Sequence, residues 1–144
     1  MTTKTQATVE DLFHVPENGK AEIINGELIQ MAPSGYLPNY AAGEIFVSLR
    51  NHSRRTKSGY AICDNAGFKV DPLAVEVRSD GDYGPRAEQE IINKRRDYFA
   101  AGTHCVWDVD LLSLDVIKAY FNNNPDNPII FRRGELADAG EAVL

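Results

Sequence analysis

Cysteine is scarce in this chain of 144 residues: there are two, Cys63 and Cys105. They lie far apart and outside any CxxC spacing, which argues against a disulfide framework or a thiolate zinc site and for buried, reduced thiols. Long apolar runs are missing too. None approaches the ~18 residues of a membrane helix. The opening Met1-Thr-Thr-Lys-Thr-Gln has no apolar core segment, so no signal peptide is expected and the cytoplasm is the expected compartment. No linker rich in Pro, Gly or Ser and no internal repeat divides the chain. The expectation is a polar segment with a short helix over 1–20, then one domain over 21–144. Positive charge is short: 15 Lys and Arg stand against 21 Asp and Glu, for a net charge of −6. Whole-chain charge therefore does not drive tight nonspecific binding to nucleic acid. A bound divalent cation can supply positive charge locally, so nuclease chemistry stays open. With 43% hydrophobic and 25% charged residues, collagen-like, low-complexity and wholly disordered classes are excluded. A chain of this size can bury a core without disulfide or metal staples.

Local patterns set out the elements. Thr8 to Phe13 reads as a short helix docked by Val9, Leu12 and Phe13. Two short apolar runs flank Asn25-Gly26, a pair that tolerates the positive φ of a type I′ turn, so Ala21 to Met31 reads as a β-hairpin. Ala42, Ile45, Phe46 and Leu49 recur at helical spacing within a helix from Asn39 to Arg55, with Gly59 as its stop. Tyr60 to Cys63, Gly67 to Val70 and Leu73 to Val77 read as strands. Pro85 opens a second long helix and Gly102 caps it. His104 to Val109 reads as a buried strand with Trp107 in the core. Asp115 to Phe121 and Ile129 to Phe131 form a late hairpin around Asn122 to Asn127. The fold class is α/β (α+β): a mixed central β-sheet flanked by helices.

The chemistry concentrates around one residue. Glu76 interrupts the apolar run Leu73-Ala-Val-Glu-Val77, where a charge is uncommon unless it is paired or bound to metal. Alternation leaves solvent exposure as the plain alternative, since Leu73, Val75 and Val77 share one face and Ala74 and Glu76 the other. On the following helix Glu90 and Lys94 lie four apart on one face. Arg50, Arg54, Arg55 and Lys57 crowd the end of the first long helix, suited either to its dipole or to a nucleic-acid backbone. His14, His52 and His104 are scattered without metal-ligand spacing.

Glu22-Ile-Ile-Asn-Gly-Glu-Leu28, Met31-Ala-Pro-Ser34, Val75-Glu-Val-Arg-Ser79, Lys94-Arg-Arg-Asp-Tyr-Phe-Ala-Ala-Gly102 and Val106-Trp-Asp-Val-Asp110 follow one another in an order that resembles the restriction-endonuclease-like proteins of the PD-(D/E)XK phosphodiesterase superfamily. The resemblance implies a sheet presenting acidic metal ligands, Mg²⁺ or Mn²⁺ as cofactor, and DNA as partner. It assigns Glu76 and Lys94 as catalytic and Glu76 as a metal ligand, with Asp71, the one nearby acid, as the candidate second ligand. Glu22, Glu27, Glu90 and Ser79 take supporting positions. Arg50, Arg54, Arg55 and Lys57 become candidate nucleic-acid contacts, and a homodimer is an open partner state.

Arg78 stands where the wider superfamily has its (D/E)XK lysine; the resemblance to this family implies a lysine on the following helix instead, and Lys94 fits that place. The chain departs from the family itself before Glu76. The metal-binding Asp of a Pro-Asp pair is missing before Glu76, leaving only Asp71-Pro72. Along one strand Asp71 and Glu76 would sit ~17 Å apart at ~3.3 Å per residue. An internal deletion, residues absent from the numbered chain, or one continuous bent strand would each account for this. The expected function is metal-dependent hydrolysis of DNA phosphodiesters, impaired by the missing Asp segment. The alternatives are a catalytically inactive nucleic-acid-binding module and a structural or oligomerisation protein on the same scaffold.

Overall fold

A computed structural model describes residues 6–16, 19–63 and 72–143. In chain order the elements are α1 (Val9–Leu12), β1 (Ala21–Ile24), β2 (Glu27–Gln30), α2 (Tyr36–Thr56), β3 (Leu73–Val77), α3 (Pro85–Ala101), β4 (Cys105–Val109), β5 (Ile117–Phe121), β6 (Asn124–Phe131) and a 3-10 turn (Gly140–Val143). They form an α+β fold with two sheets. β1 and β2 are an antiparallel hairpin, and the larger sheet runs β3-β4-β5-β6. β3 and β4 are parallel, joined through α3, and the later pairs are antiparallel. Among the described residues β3 is an edge strand.

Side-chain alternation gives the large sheet two unlike faces. Val75, Trp107, Ala119 and Ile129 are cross-strand partners in one row, and Glu76, Asp108, Lys118 and Ile130 in the next. Because successive residues point to opposite faces, these rows lie on opposite sides. The first side holds the core: Cys105, Trp107, Val109, Ala119 and Ala139 are buried there, packed by Ile45 of α2, by Leu73, Val75 and Val77, and by Ala137 and Ala142 near the C-terminus. α3 covers the second, charged side, with the Arg95 guanidinium 3.6 Å from the Tyr120 ring centroid.

The turn chemistry behaves as its residues dictate. Asn25 and Gly26 take φ of 52° and 75°, so the β1–β2 turn uses the left-handed conformations that Asn-Gly tolerates. Pro85 occupies the first turn of α3. Gly102 ends the helix at φ 105°, where its amide donates to the Phe99 carbonyl.

Several expectations change. Val9 and Phe13 of the first helix are exposed rather than docked. α2 starts three residues before Asn39, and Lys57 rather than Gly59 closes it, in the left-handed conformation. Tyr60 to Cys63 is irregular, not a strand, and Cys63 is exposed, so Cys105 is the buried thiol, its pKa pushed up to about 12 by that burial. The Gly67 to Val70 strand lies outside the described residues. The late hairpin turns over Asn122 and Asn123. Its pairing slips between Ala119 and Phe121, opposite a stretch where Pro125 and Pro128 lack the amide a regular ladder needs.

Replacing Gly102 by Ala forces a β-carbon into a left-handed cap. Urea unfolding should show a loss of about 1–2 kcal/mol without a change in slope.

Candidate active site

A strand that alternates cleanly must put its charges somewhere, and here α3 receives them. Arg78, just past β3, is buried. Its Nε and Nη2 donate to the two carboxylate oxygens of buried Asp108, each at 2.7 Å. The same guanidinium donates to both Glu88 oxygens near the start of α3. Planar, two-pronged pairing of this kind matches the fork of Arg and would not be reproduced by Lys. Hydrogen bonding to Asp108 outweighs the cost of burial and, with help from Glu88, raises the Arg78 pKa. Glu88 is correspondingly held below its ordinary range by the Arg78 hydrogen bond. Arg78 is therefore a clamp between β4 and α3.

Two turns further along α3, Lys94 sits between two carboxylates. Its Nζ lies 2.7 Å from Glu76 Oε2 and 2.7 Å from Glu22 Oε2. Tyr98, four residues on and so on the same helical face, donates its hydroxyl to Glu76 Oε1. The Lys94 side chain is 16% exposed. Burial by itself would lower its pKa, but Glu76 and Glu22 outweigh that and raise it above 10.5. At neutral pH Lys94 is an ammonium ion: a donor of hydrogen bonds and charge, not a base.

The hairpin reaches the cluster because α3 also holds its turn, where the Asn25 amide donates to Asp97 Oδ2 at 2.7 Å. That contact fixes β1 beside the helix and lets Glu22 meet Lys94. The structure thus brings Glu22, Glu76 and Lys94 together. Glu90 is drawn away from them and pairs with Arg86 at 3.0 Å on the exposed side of α3. Ser79 engages Asp82 through its amide and hydroxyl, closing the loop before α3. Glu27 is exposed on β2, opposite Ile24. Arg50, Arg54, Arg55 and Lys57 are exposed at the end of α2. Asp71 lies outside the described residues.

Tyr98 and Asp108 were missed in the sequence, although both left a signal. Tyr98 is Lys94 plus four on a helix. Asp108 interrupts Val106-Trp-Asp-Val109 as Glu76 interrupts its own strand, and the parallel register makes the two direct partners.

Two converging carboxylates suit the hard-oxygen preference of Mg²⁺, which commonly takes one or two carboxylates and completes its shell with water and phosphate oxygens. They do not make a closed cage: no group of three ligating side chains gathers among the described residues. With Lys94 charged, Glu22, Glu76 and Lys94 carry one net negative charge, which favours an incoming cation.

Residues 9–74 match the Uma2 family model, described as "Putative restriction endonuclease". The match spans just under half of the chain and supports a restriction-endonuclease-like family. It includes Glu22 and Glu27 and ends at Ala74, before Glu76 and Lys94. No curated protein and no solved structure matches the chain. No described helix is long and apolar enough to cross a membrane.

Arg78→Ala leaves Asp108 buried without its counter-charge, and chemical unfolding should register a loss of about 3–5 kcal/mol. The Glu88 contact titrates. Its folded pKa lies below its unfolded value of 4.5, so its stabilisation is complete above that pH and is lost as pH falls through the folded value. The difference in melting temperature between wild type and Glu88→Gln should be full at pH 7 and shrink steadily on acidification below 4.5.

Proposed function

We propose that this restriction-endonuclease-like chain hydrolyses phosphodiester bonds in DNA with the aid of a divalent metal ion, at the cluster of Glu22, Glu76, Lys94 and Tyr98. The observation that carries the reading is the Lys94 ammonium set 2.7 Å from each of two carboxylates on separate sheets. Glu76 and Glu22 are the residues to hold Mg²⁺ or Mn²⁺, and Asp71 is the candidate third ligand. When bound, the ion polarises the phosphoryl oxygen and lowers the pKa of its water.

The chain's own groups do the rest. A phosphodiester brings negative charge that increases as the nucleophile arrives. An ammonium has three donors; Glu76 accepts one and Glu22 Oε2 lies beside it as an ion-pair partner, so donor capacity remains for a phosphate oxygen. Tyr98 fixes one Glu76 oxygen, so the other is aimed rather than free to rotate. Burial around Lys94 keeps water from screening its charge. Turnover is expected to be slow. Two carboxylates leave most of an ion's coordination to water, and a reacting group misplaced by ~1 Å can cost ~100-fold in rate.

The lack of a three-ligand group among the described residues favours a second reading, a nucleic-acid-binding module that does not cut. Supercoiled plasmid separates the two. The first predicts slow nicking with Mn²⁺ or Mg²⁺, none with chelator, and loss in both Glu76→Ala and Lys94→Met. Salt-dependent binding of DNA without nicking, at any metal concentration, establishes the second. Undiminished nicking in both variants overturns the proposed site.

A further inference from the structure

The outward face of α2 carries a second pattern, independent of the cluster on α3. Tyr36, Tyr40, Gly43, Val47, Arg50 and Arg54 are all exposed, and they recur at steps of four and three in strict alternation. At 3.6 residues per turn that is one straight stripe, the seam geometry of a helix that pairs with another. The inward face, through Ala42, Ile45 and Leu49, is half-buried. The stripe is not an ordinary polar surface, since large apolar side chains lie open on it: Tyr36 is 80% exposed, Tyr40 58% and Val47 44%. The two tyrosine rings stack on each other with centroids 6.2 Å apart. A β-carbon at Gly43 would meet nothing within 4 Å, so the middle of the stripe is open to close approach.

The order of residue types identifies what fits. Aromatic rings occupy one end, guanidinium groups the other, and the two smallest residues the middle. A second copy of the helix, laid antiparallel about position 45, pairs Tyr36 with Arg54, Tyr40 with Arg50 and Gly43 with Val47. Every position of the stripe finds a complementary one, and none is left over. We propose that α2 is a self-association surface, binding α2 of a second copy of this chain antiparallel in that register.

In a two-fold interface each pairing occurs twice, so four Tyr–Arg cation–π contacts flank a close-packed centre. The stripe is roughly 27 Å long at ~1.5 Å per residue. A single helix pair of that length is a small interface, so the dimer is weak and concentration-dependent. Glu44, exposed beside the axis, meets its own copy there, a like-charge cost that weakens it further. An extended anionic strand is the poorer occupant. The cations lie at one end only, and Gly43 and Val47 offer nothing to phosphates.

Sedimentation equilibrium of the full chain, from micromolar to millimolar concentration, tests this. Wild type should populate a dimer. Tyr40→Arg sets cation against cation and should raise the dissociation constant at least about tenfold. The double variant Tyr40→Arg with Arg50→Tyr exchanges the partners in the same register and should restore dimerisation. The substituted positions are exposed, and circular dichroism verifies that each variant stays folded. A monomer at every concentration, a dimer indifferent to Tyr40→Arg, or a double variant no better than the single one overturns the proposal. Tighter DNA binding by Tyr40→Arg with unchanged mass also overturns it and assigns the stripe, with Arg55 and Lys57, to nucleic acid.

Discussion

Charge buried on one face of the central sheet is the constraint to which the rest of this structure answers. Glu76, Arg78 and Asp108 share the side that α3 covers, and none of them can be left there alone. The cost of an unpaired buried charge is several kcal/mol, so buried Arg78 and Asp108 need partners at hydrogen-bond distance, and partly exposed Glu76 takes them too. α3 supplies them in sequence along its length: Glu88 for Arg78, Lys94 and Tyr98 for Glu76. The helix is therefore held by specific polar contacts on one side of the sheet, while apolar packing does the work on the other.

This division explains why the candidate site is partly exposed yet held by specific polar contacts. The core side, built from Trp107, Val109, Ala119 and their neighbours, is packed by apolar side chains and sets the sheet. The charged side is layered. The Arg78–Asp108 pair is sealed, and the Lys94 cluster lies nearer the surface, its Glu76 side chain 33% exposed. Access of that kind suits a group that has to meet a substrate. The small hairpin closes the arrangement, because Asp97 grips its turn and Glu22 completes the environment of Lys94. A cluster assembled from β1, β3 and α3 ties together two sheets that share no strand.

The two long helices have divided their labour. α3 turns polar residues inward and carries Lys94 and Tyr98 of the candidate site. α2 turns its apolar residues inward against the core and leaves a patterned stripe outward. The inward polar face of α3 departs from helical amphipathicity in its ordinary sense, in which charges face solvent and apolar residues face the core; α2 keeps that pattern on its inner side.

Much of this was open to reading from residues alone. Asn25-Gly26 made a hairpin because few other pairs accept its backbone angles, and Pro85 and Gly102 bounded α3 because one suits a helix start and the other a left-handed end. Alternation through Leu73 to Val77 put Glu76 on the far face from the core. These are short-range effects, set within a few residues by sterics and local hydrogen bonding. Which partner each charge takes is another matter. Spacing on the helix offered Glu90 to Lys94, while the resemblance put Lys94 in one site with Glu76, eighteen positions away; the fold joins those two and adds Glu22 from another sheet. Arg78, which the strand pattern left beside Glu76, turned instead to Asp108 and Glu88. Such choices depend on how the hairpin and α3 dock against the sheet. Docking is decided by the burial of the whole core and the pairing of every buried charge at once, which no window of sequence contains.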